Sequence, residues 1–177
     1  TDWKAIVRQK QALVDDLRKA KYADLLPAYN SVAYLEGKAA FDDGGALTVD
    51  GMALTASKII IATGARPALP SIKGLEEVAY LTSTTALELE TLPESLLIIG
   101  AGYIGAEIAQ IFARAGVKVT IVSRRGLLPE AEPEISKALT GHFESEGIEI
   151  ISGISYDRIQ ADESGARLIV FSNGSPR

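Results

Sequence analysis

Three glycines within six residues are the clearest chemical signal in this sequence. In "LLIIGAGYIGAEIAQ", residues 96–110, they stand at Gly100, Gly102 and Gly105, directly after an apolar run. In a GxGxxG loop the first glycine permits a tight turn, the second lets a pyrophosphate approach the backbone, and the third lets helix and strand pack closely. The start of the following helix offers amides and a partial positive charge to the phosphates. This spacing predicts a dinucleotide site, although a plain strand–turn–helix junction can use the same residues.

The end of the next predicted strand bears on which dinucleotide binds. An acidic residue there would hold the ribose 2′-hydroxyl of NAD. This sequence has Ser123, Arg124 and Arg125 instead. Two guanidinium groups can bind a 2′-phosphate, so the pattern favours NADPH. The alternative is a pair of solvated surface arginines.

Other kinds of chemistry are limited by what the composition lacks. The 177 residues include no cysteine and one histidine, His142, so we expect no thiol chemistry, no catalytic triad and no metal centre within this chain. A net charge of −5 argues against nucleic acid or an anionic membrane as the main partner. No apolar run approaches the roughly 20 residues that span a bilayer, and no secretory signal is visible at the start. We therefore expect a cytoplasmic protein.

The first part of the chain is predicted to contain one helix and a small sheet. Residues 1–26 carry an apolar stripe at helical spacing, which suits a core face or, alternatively, a partner-binding surface. Residues 31–64 contain short aliphatic stretches separated by "DDGG" and "DG", which predict an antiparallel meander. Its last member, residues 58–62, is almost wholly apolar and is predicted to be a buried strand. A proline-spaced connector follows, and then a short helix over residues 82–92.

The second part is predicted to be a Rossmann-like βαβ arrangement. Residues 96–123 indicate strand, glycine turn, helix and strand, and residues 129–147 indicate another helix, with Pro133 in its first turn and Gly147 after its last. A further strand and a hairpin complete the pattern. The composition changes near Pro93, so we predict an α/β fold with two domains, residues 1–93 and residues 94–177.

Two motifs in the right order give a family resemblance. The stretch "KIIIATGARPALPSIKG", followed by "LTSTTALELETLPESLLIIGAGYIGAEIAQ", resembles the pyridine nucleotide–disulfide oxidoreductases over essentially the whole chain. Within that family, "LVDDLRKAKYADLL" and "PEISKALTGHFESEGIEI" look most like the mercuric reductase branch. Lipoamide dehydrogenase and glutathione reductase are the alternatives.

The resemblance implies that the two domains bind different cofactors. The first would be a partial FAD-binding domain and the second an NAD(P)H-binding domain, both incomplete. NADPH would pass hydride to the flavin, the flavin would reduce a cysteine pair, and the thiols would deliver Hg(II) for reduction to Hg(0). The matching FAD positions are Ala62, Thr63 and Gly64, which lie in the "ATG" segment.

The NADPH positions also carry over from the family motif. Tyr103 matches the aromatic residue that covers the flavin, and Glu107 matches the acidic residue beside the nicotinamide; by themselves they could be a packing residue and a solvated charge. The predicted NADPH set is Gly100, Gly102, Tyr103, Ile104, Gly105, Glu107, Arg124 and Arg125.

The departures from the family pattern are equally informative. The first FAD glycine loop, the redox cysteine pair and the C-terminal dimerisation domain have no counterpart here, so we expect the central part of a larger homodimeric flavoenzyme that is inactive in isolation. Exposed core surface would favour self-association. Two other hypotheses stay open: a dinucleotide-binding module with no redox step, or an assembly piece with a vestigial loop.

Overall fold

The computed structural model describes residues 2–162, 165–172 and 175–176, which fall into two compact units. Residues 9–66 form one, here called the meander unit. Residues 1–8 and 67–177 form the other, here called the glycine-loop unit. The predicted division into residues 1–93 and 94–177 stays a prediction.

The meander unit contains most of the first helix and a three-stranded antiparallel sheet. Its sheet has the order β1-β2-β3, with β1 Ala39–Phe41, β2 Leu47–Val49 and β3 Met52–Leu54. The turn between β1 and β2 is held by the Asp42 carboxylate, which accepts hydrogen bonds from the amides of Gly44 and Ala46 at 2.9 and 2.8 Å. Asp50 and Gly51 both have positive φ in the turn that joins β2 to β3, as a tight hairpin requires. The predicted antiparallel meander is therefore confirmed for these three strands, and the first predicted helix forms as α1 Trp3–Arg18.

The first predicted helix is shorter than its apolar stripe suggested. After Arg18 the chain continues in a π-helical turn, Lys19–Ala23, and then a 3-10 turn, Leu26–Ala28. Trp3 is buried, but Leu13 and Leu17 are exposed. The prediction of a core face is thus correct only near the start of α1, because the rest of the stripe has no packing partner in the meander unit.

The predicted buried strand at residues 58–62 was wrong. These residues form no strand, and Ile60 is 90% exposed. Residues 31–37, also predicted as extended sheet, contain no strand either. An apolar run becomes a buried strand only where a neighbouring strand supplies hydrogen bonds and a packing face, and no described strand pairs with either segment.

The glycine-loop unit is built on a parallel sheet of order β4-β5-β6, with β4 Ser95–Ile99, β5 Lys118–Val122 and β6 Glu149–Ile151. One helix follows β4 and another follows β5, so each parallel pair is joined by a helical crossover, as in half of a doubly wound fold. This confirms the predicted α/β arrangement. Of the helix predicted over residues 82–92, only the first turn forms, with Thr82 and Thr85 in a reciprocal capping box. Helices α2, α3 and α4 span Ser83–Ala86, Tyr103–Arg114 and Pro133–Ser145.

The last described elements form the predicted hairpin. Strands β7 Ile154–Asp162 and β8 Gly165–Ser172 pair antiparallel, with a register shift between Tyr156 and Arg158, and the short β9 Ser175–Pro176 pairs with β8. Within the described residues, none of the helices has the length and apolarity that crossing a bilayer requires.

The main core lies between the parallel sheet and its helices. Its largest fully buried side chains are Phe112, Phe143, Ile121, Ile148 and Val119. Trp3 closes this core from the start of α1: its ring lies 5.3 Å from that of Phe112, and its indole nitrogen donates to the Leu89 carbonyl at 2.7 Å. The core therefore fixes the carboxyl ends of β4 and β5, where the predicted site lies.

Candidate nucleotide-binding site

The glycine loop joins the carboxyl end of β4 to the start of α3. Gly100 has φ +113°, a conformation that favours glycine, and its amide donates to the Val122 carbonyl at 2.9 Å. Gly102 is the residue before α3, and it supplies no side chain to cap the helix. The first amides of any α-helix have no carbonyl partner within the helix, so those of α3 remain available to an anion.

The three glycines have different surroundings, and these fit a bound pyrophosphate. A Cβ on Gly105 would lie 2.4 Å from the Gly100 carbonyl oxygen, so only glycine permits this approach of helix and loop. A Cβ on Gly100 or Gly102 would meet no protein atom within 4 Å. The side of the loop at Gly100 and Gly102, here called its open side, therefore has room for a ligand. The close contact at Gly105, here called its closed side, sets the distance between helix and strand. This is the geometry that the motif predicts.

The flanking NADPH candidates lie on the solvent side of α3. Tyr103 and Ile104 are exposed, and so is Glu107 one turn later. Each is accessible to a ligand that lies over the helix N-terminus. Their assigned contacts with the nicotinamide and flavin stay predictions.

Arg124 lies at the end of β5 beside a residue that sequence reasoning missed. Its guanidinium carbon is 6.0 Å from the centre of the Tyr156 ring, within the range of a cation–π contact. The Tyr156 hydroxyl donates to the Val122 carbonyl at 3.2 Å, the same carbonyl that accepts from Gly100. Burial raises the pKa of the Tyr156 hydroxyl, and the positive charge of Arg124 opposes that rise.

Arg125 has a different partner, which sequence reasoning also missed. Its Nη2 donates to Glu130 Oε1 at 2.6 Å, and both side chains are exposed. The backbone carbonyl of Arg125 accepts a hydrogen bond from the hydroxyl of Ser123, which is buried. The two arginines therefore differ, because Arg124 faces an aromatic ring whereas Arg125 faces a carboxylate.

The segment after the arginines is attached to the glycine loop. The Leu128 amide donates to the Ala101 carbonyl at 2.7 Å, and Leu127 and Leu128 are both buried. Leu128 has φ +46°, which is uncommon for a residue with a side chain and shows that surrounding contacts hold it there. No simple sequence pattern marks this attachment, since it joins two loops by a single backbone hydrogen bond.

The predicted FAD segment lies in the meander unit. Ala62, Thr63 and Gly64 are exposed and lie outside any helix or strand, and Gly64 has φ +75° with open space where a Cβ would stand. His142, on α4, is also exposed. In the described part of the chain, no group of three or more His, Cys, Asp or Glu side chains could hold a metal ion.

Comparisons with known proteins give the family of this chain. The family model for pyridine nucleotide-disulphide oxidoreductases matches residues 5–175. Mercuric reductase from Lysinibacillus sphaericus is 41% identical over 98% of this chain and 32% of its own length. Mercuric reductase from Streptomyces lividans is 44% identical over 93% of this chain and 35% of its own length. The chain thus spans about a third of the curated relatives it matches.

A solved structure resembles the whole chain. The HOCl-induced flavoprotein disulfide reductase RclA from Escherichia coli aligns with a TM-score of 0.85 and 31% identity, covering 100% of this chain and 41% of that one. Its Cu(II) complex aligns with a TM-score of 0.84.

Proposed function

We propose that this chain, which belongs to the pyridine nucleotide-disulphide oxidoreductase family, supplies the NADPH-binding site and part of the FAD-binding site of an enzyme that reduces Hg(II) to Hg(0). The observation that carries the nucleotide site is the glycine loop, with its closed side at Gly105 and its open side at Gly102. The substrate rests on the roughly 40% identity to mercuric reductases. Reduction of Hg(II) to Hg(0) takes two electrons, which one hydride supplies.

Each part of the site has a stated task in this proposal. The amides at the start of α3 bind the pyrophosphate, and the partial positive charge of the helix N-terminus favours it. Arg124 and Arg125 bind the 2′-phosphate, since guanidinium groups suit phosphate oxygens. Tyr103 and Glu107 border the nicotinamide. FAD, when bound along the segment from Ala62 to Gly64, supplies the acceptor of the hydride.

Nucleotide titration of the 177-residue chain tests the NADPH assignment. We expect NADPH to bind more tightly than NADH, and the double variant Arg124→Glu, Arg125→Gln to lose that preference while still binding NADH. Isothermal titration calorimetry measures both dissociation constants. An unchanged ratio of the two constants in the double variant would refute the assignment of these arginines.

A visible absorption spectrum of the purified chain tests the flavin half. Flavin bands at near-stoichiometric occupancy, bleached by NADPH, would support hydride transfer to FAD. A colourless chain that still binds NADPH would favour the second candidate function, a dinucleotide-binding module without a redox step. The absence of cysteine from the 177 residues favours that candidate for the chain by itself, because the chain cannot supply a redox dithiol.

A further inference from the structure

We propose that Glu130 is a specificity-determining residue, which holds Arg125 and thereby weakens the preference of the site for nucleotides that carry a 2′-phosphate. This inference rests on the proposed nucleotide site and goes beyond it by naming a carboxylate that acts against NADPH. The contact that carries it is the 2.6 Å ion pair between Arg125 Nη2 and Glu130 Oε1.

The position of Glu130 is set by the attachment of its loop. Leu127 and Leu128 are buried two or three residues before it, and the Ala131 amide donates to the Leu128 carbonyl at 2.9 Å directly after it. The same carbonyl accepts from the Ser136 hydroxyl at 2.9 Å. Because the backbone on both sides of Glu130 is fixed in this way, placing Glu130 next to Arg125 costs little further backbone entropy.

Charge then determines what the ion pair does to a ligand. A phosphate that binds Arg125 must displace the carboxylate from the guanidinium group, and breaking this ion pair costs binding free energy. A ribose 2′-hydroxyl carries no charge and meets no such penalty. Arg124 is unaffected, because its described neighbour is the Tyr156 ring and not an acid. The two adjacent arginines are therefore unequal: among the described residues, a carboxylate pairs with Arg125 and none pairs with Arg124.

The test compares adenosine 2′,5′-bisphosphate with 5′-AMP on the full 177-residue chain, using isothermal titration calorimetry. Glu130→Gln keeps the shape of the side chain and removes its charge. We expect it to tighten binding of the bisphosphate by about 2- to 5-fold, the range typical of one exposed ion pair, and to leave 5′-AMP unchanged. Glu134→Gln is the matched control, since it removes an equal charge from the first turn of α4.

A second comparison isolates the pair itself. In an Arg125→Gln background, Glu130→Gln should no longer change the affinity for the bisphosphate. The inference is overturned if Glu130→Gln weakens binding or leaves it unchanged, if Glu134→Gln has an equal effect, or if the effect persists without Arg125. Failure of every nucleotide to bind would instead overturn the proposed site, and this inference with it.

Discussion

The two compact units contain similar apolar residues but bury them very differently. In the glycine-loop unit, Phe112 is fully buried between a parallel sheet and its helices, and Trp3 packs against it. In the meander unit, whose side chains are described for residues 9–66 except Ala23, none is buried, and Phe41 is 50% exposed. The difference shows that an apolar side chain stabilises a fold only where a second layer covers it.

Truncating one aromatic residue in each unit should give the largest difference between the units in the free energy of unfolding. Phe112→Ala is expected to lower the free energy of unfolding by about 3–5 kcal/mol, because it leaves a cavity in the core. Phe41→Ala should change it by no more than about 0.5 kcal/mol, as is usual for an exposed position. Urea denaturation followed by far-UV circular dichroism, which reports on the secondary structure of both units, measures both changes. Equal losses would show that the meander unit has a core of its own.

A pair of glycines extends the comparison to close contacts. A Cβ on Gly105 would lie 2.4 Å from a backbone oxygen, whereas a Cβ on Gly37 would lie 2.4 Å from the Asp50 carboxylate and 2.6 Å from Val49 Cγ1, which are both side-chain atoms. A side-chain end can move, but the Gly100 carbonyl is held in its loop. Gly105→Ala should therefore cost about 1–3 kcal/mol, as overpacking does, even though alanine favours helices by up to about 1 kcal/mol.

The control in the meander unit is Gly37→Ala, which should cost less than about 1 kcal/mol. Gly105→Ala should also weaken NADPH binding, since it moves the start of α3 away from the loop. Calorimetric titration with NADPH measures this second effect. Full affinity in Gly105→Ala would argue against the loop as the nucleotide site.

Replacing Tyr156 should change nucleotide affinity and stability by smaller amounts, and only through contacts within the glycine-loop unit. Tyr156→Leu removes the ring that holds Arg124 in position. We expect it to weaken binding of adenosine 2′,5′-bisphosphate by about 2- to 5-fold, the factor that corresponds to the energy of one exposed cation–π contact. Tyr156→Phe keeps the ring and should retain that affinity, losing only the hydrogen bond to Val122, which is worth about 1 kcal/mol of stability. Equal weakening in both variants would place the effect in the hydroxyl and not in the ring.

The smallest expected effect concerns the surface ion pair between α3 and α4. Arg114 donates to Glu146 at 2.7 and 2.9 Å, and this hydrogen bonding holds the pKa of Glu146 below its ordinary value of 4.5. The contribution to stability is therefore present above pH 4.5 and is lost as the pH falls through the lowered pKa. Glu146→Gln should be slightly less stable than wild type at pH 7 and converge with it in acid, as thermal unfolding at several pH values would measure. A difference in stability between the two proteins that widens in acid would contradict this prediction.

Local pattern was sufficient to predict the glycine loop and the elements around it. The apolar run before Gly100, the helical spacing after it and the prolines and glycines at the ends of α4 each act within a few residues. These signals are short in range, and the described sheet order β4-β5-β6 agrees with them. The antiparallel meander was predictable for the same reason, because its turns at residues 42–46 and 50–51 contain their own Asp and Gly signals.

Residues 58–62 show where such reasoning fails. An apolar run of this length predicts a strand, but strand formation and burial depend on neighbours that the run does not contain. The partners of the two arginines could not be predicted either. Tyr156 reaches Arg124 from the hairpin strand β7, and Glu130 reaches Arg125 within a segment whose Leu128 is attached to the glycine loop.

The family, the α/β order of elements and the position of the nucleotide loop follow from residues that are close together in the chain, so the amino-acid pattern is sufficient to predict them. Which apolar residues are covered, and which groups face Arg124 and Arg125, depends on how distant segments pack. Burial and electrostatic contact depend on distances in space, and those distances are set when separate elements pack together.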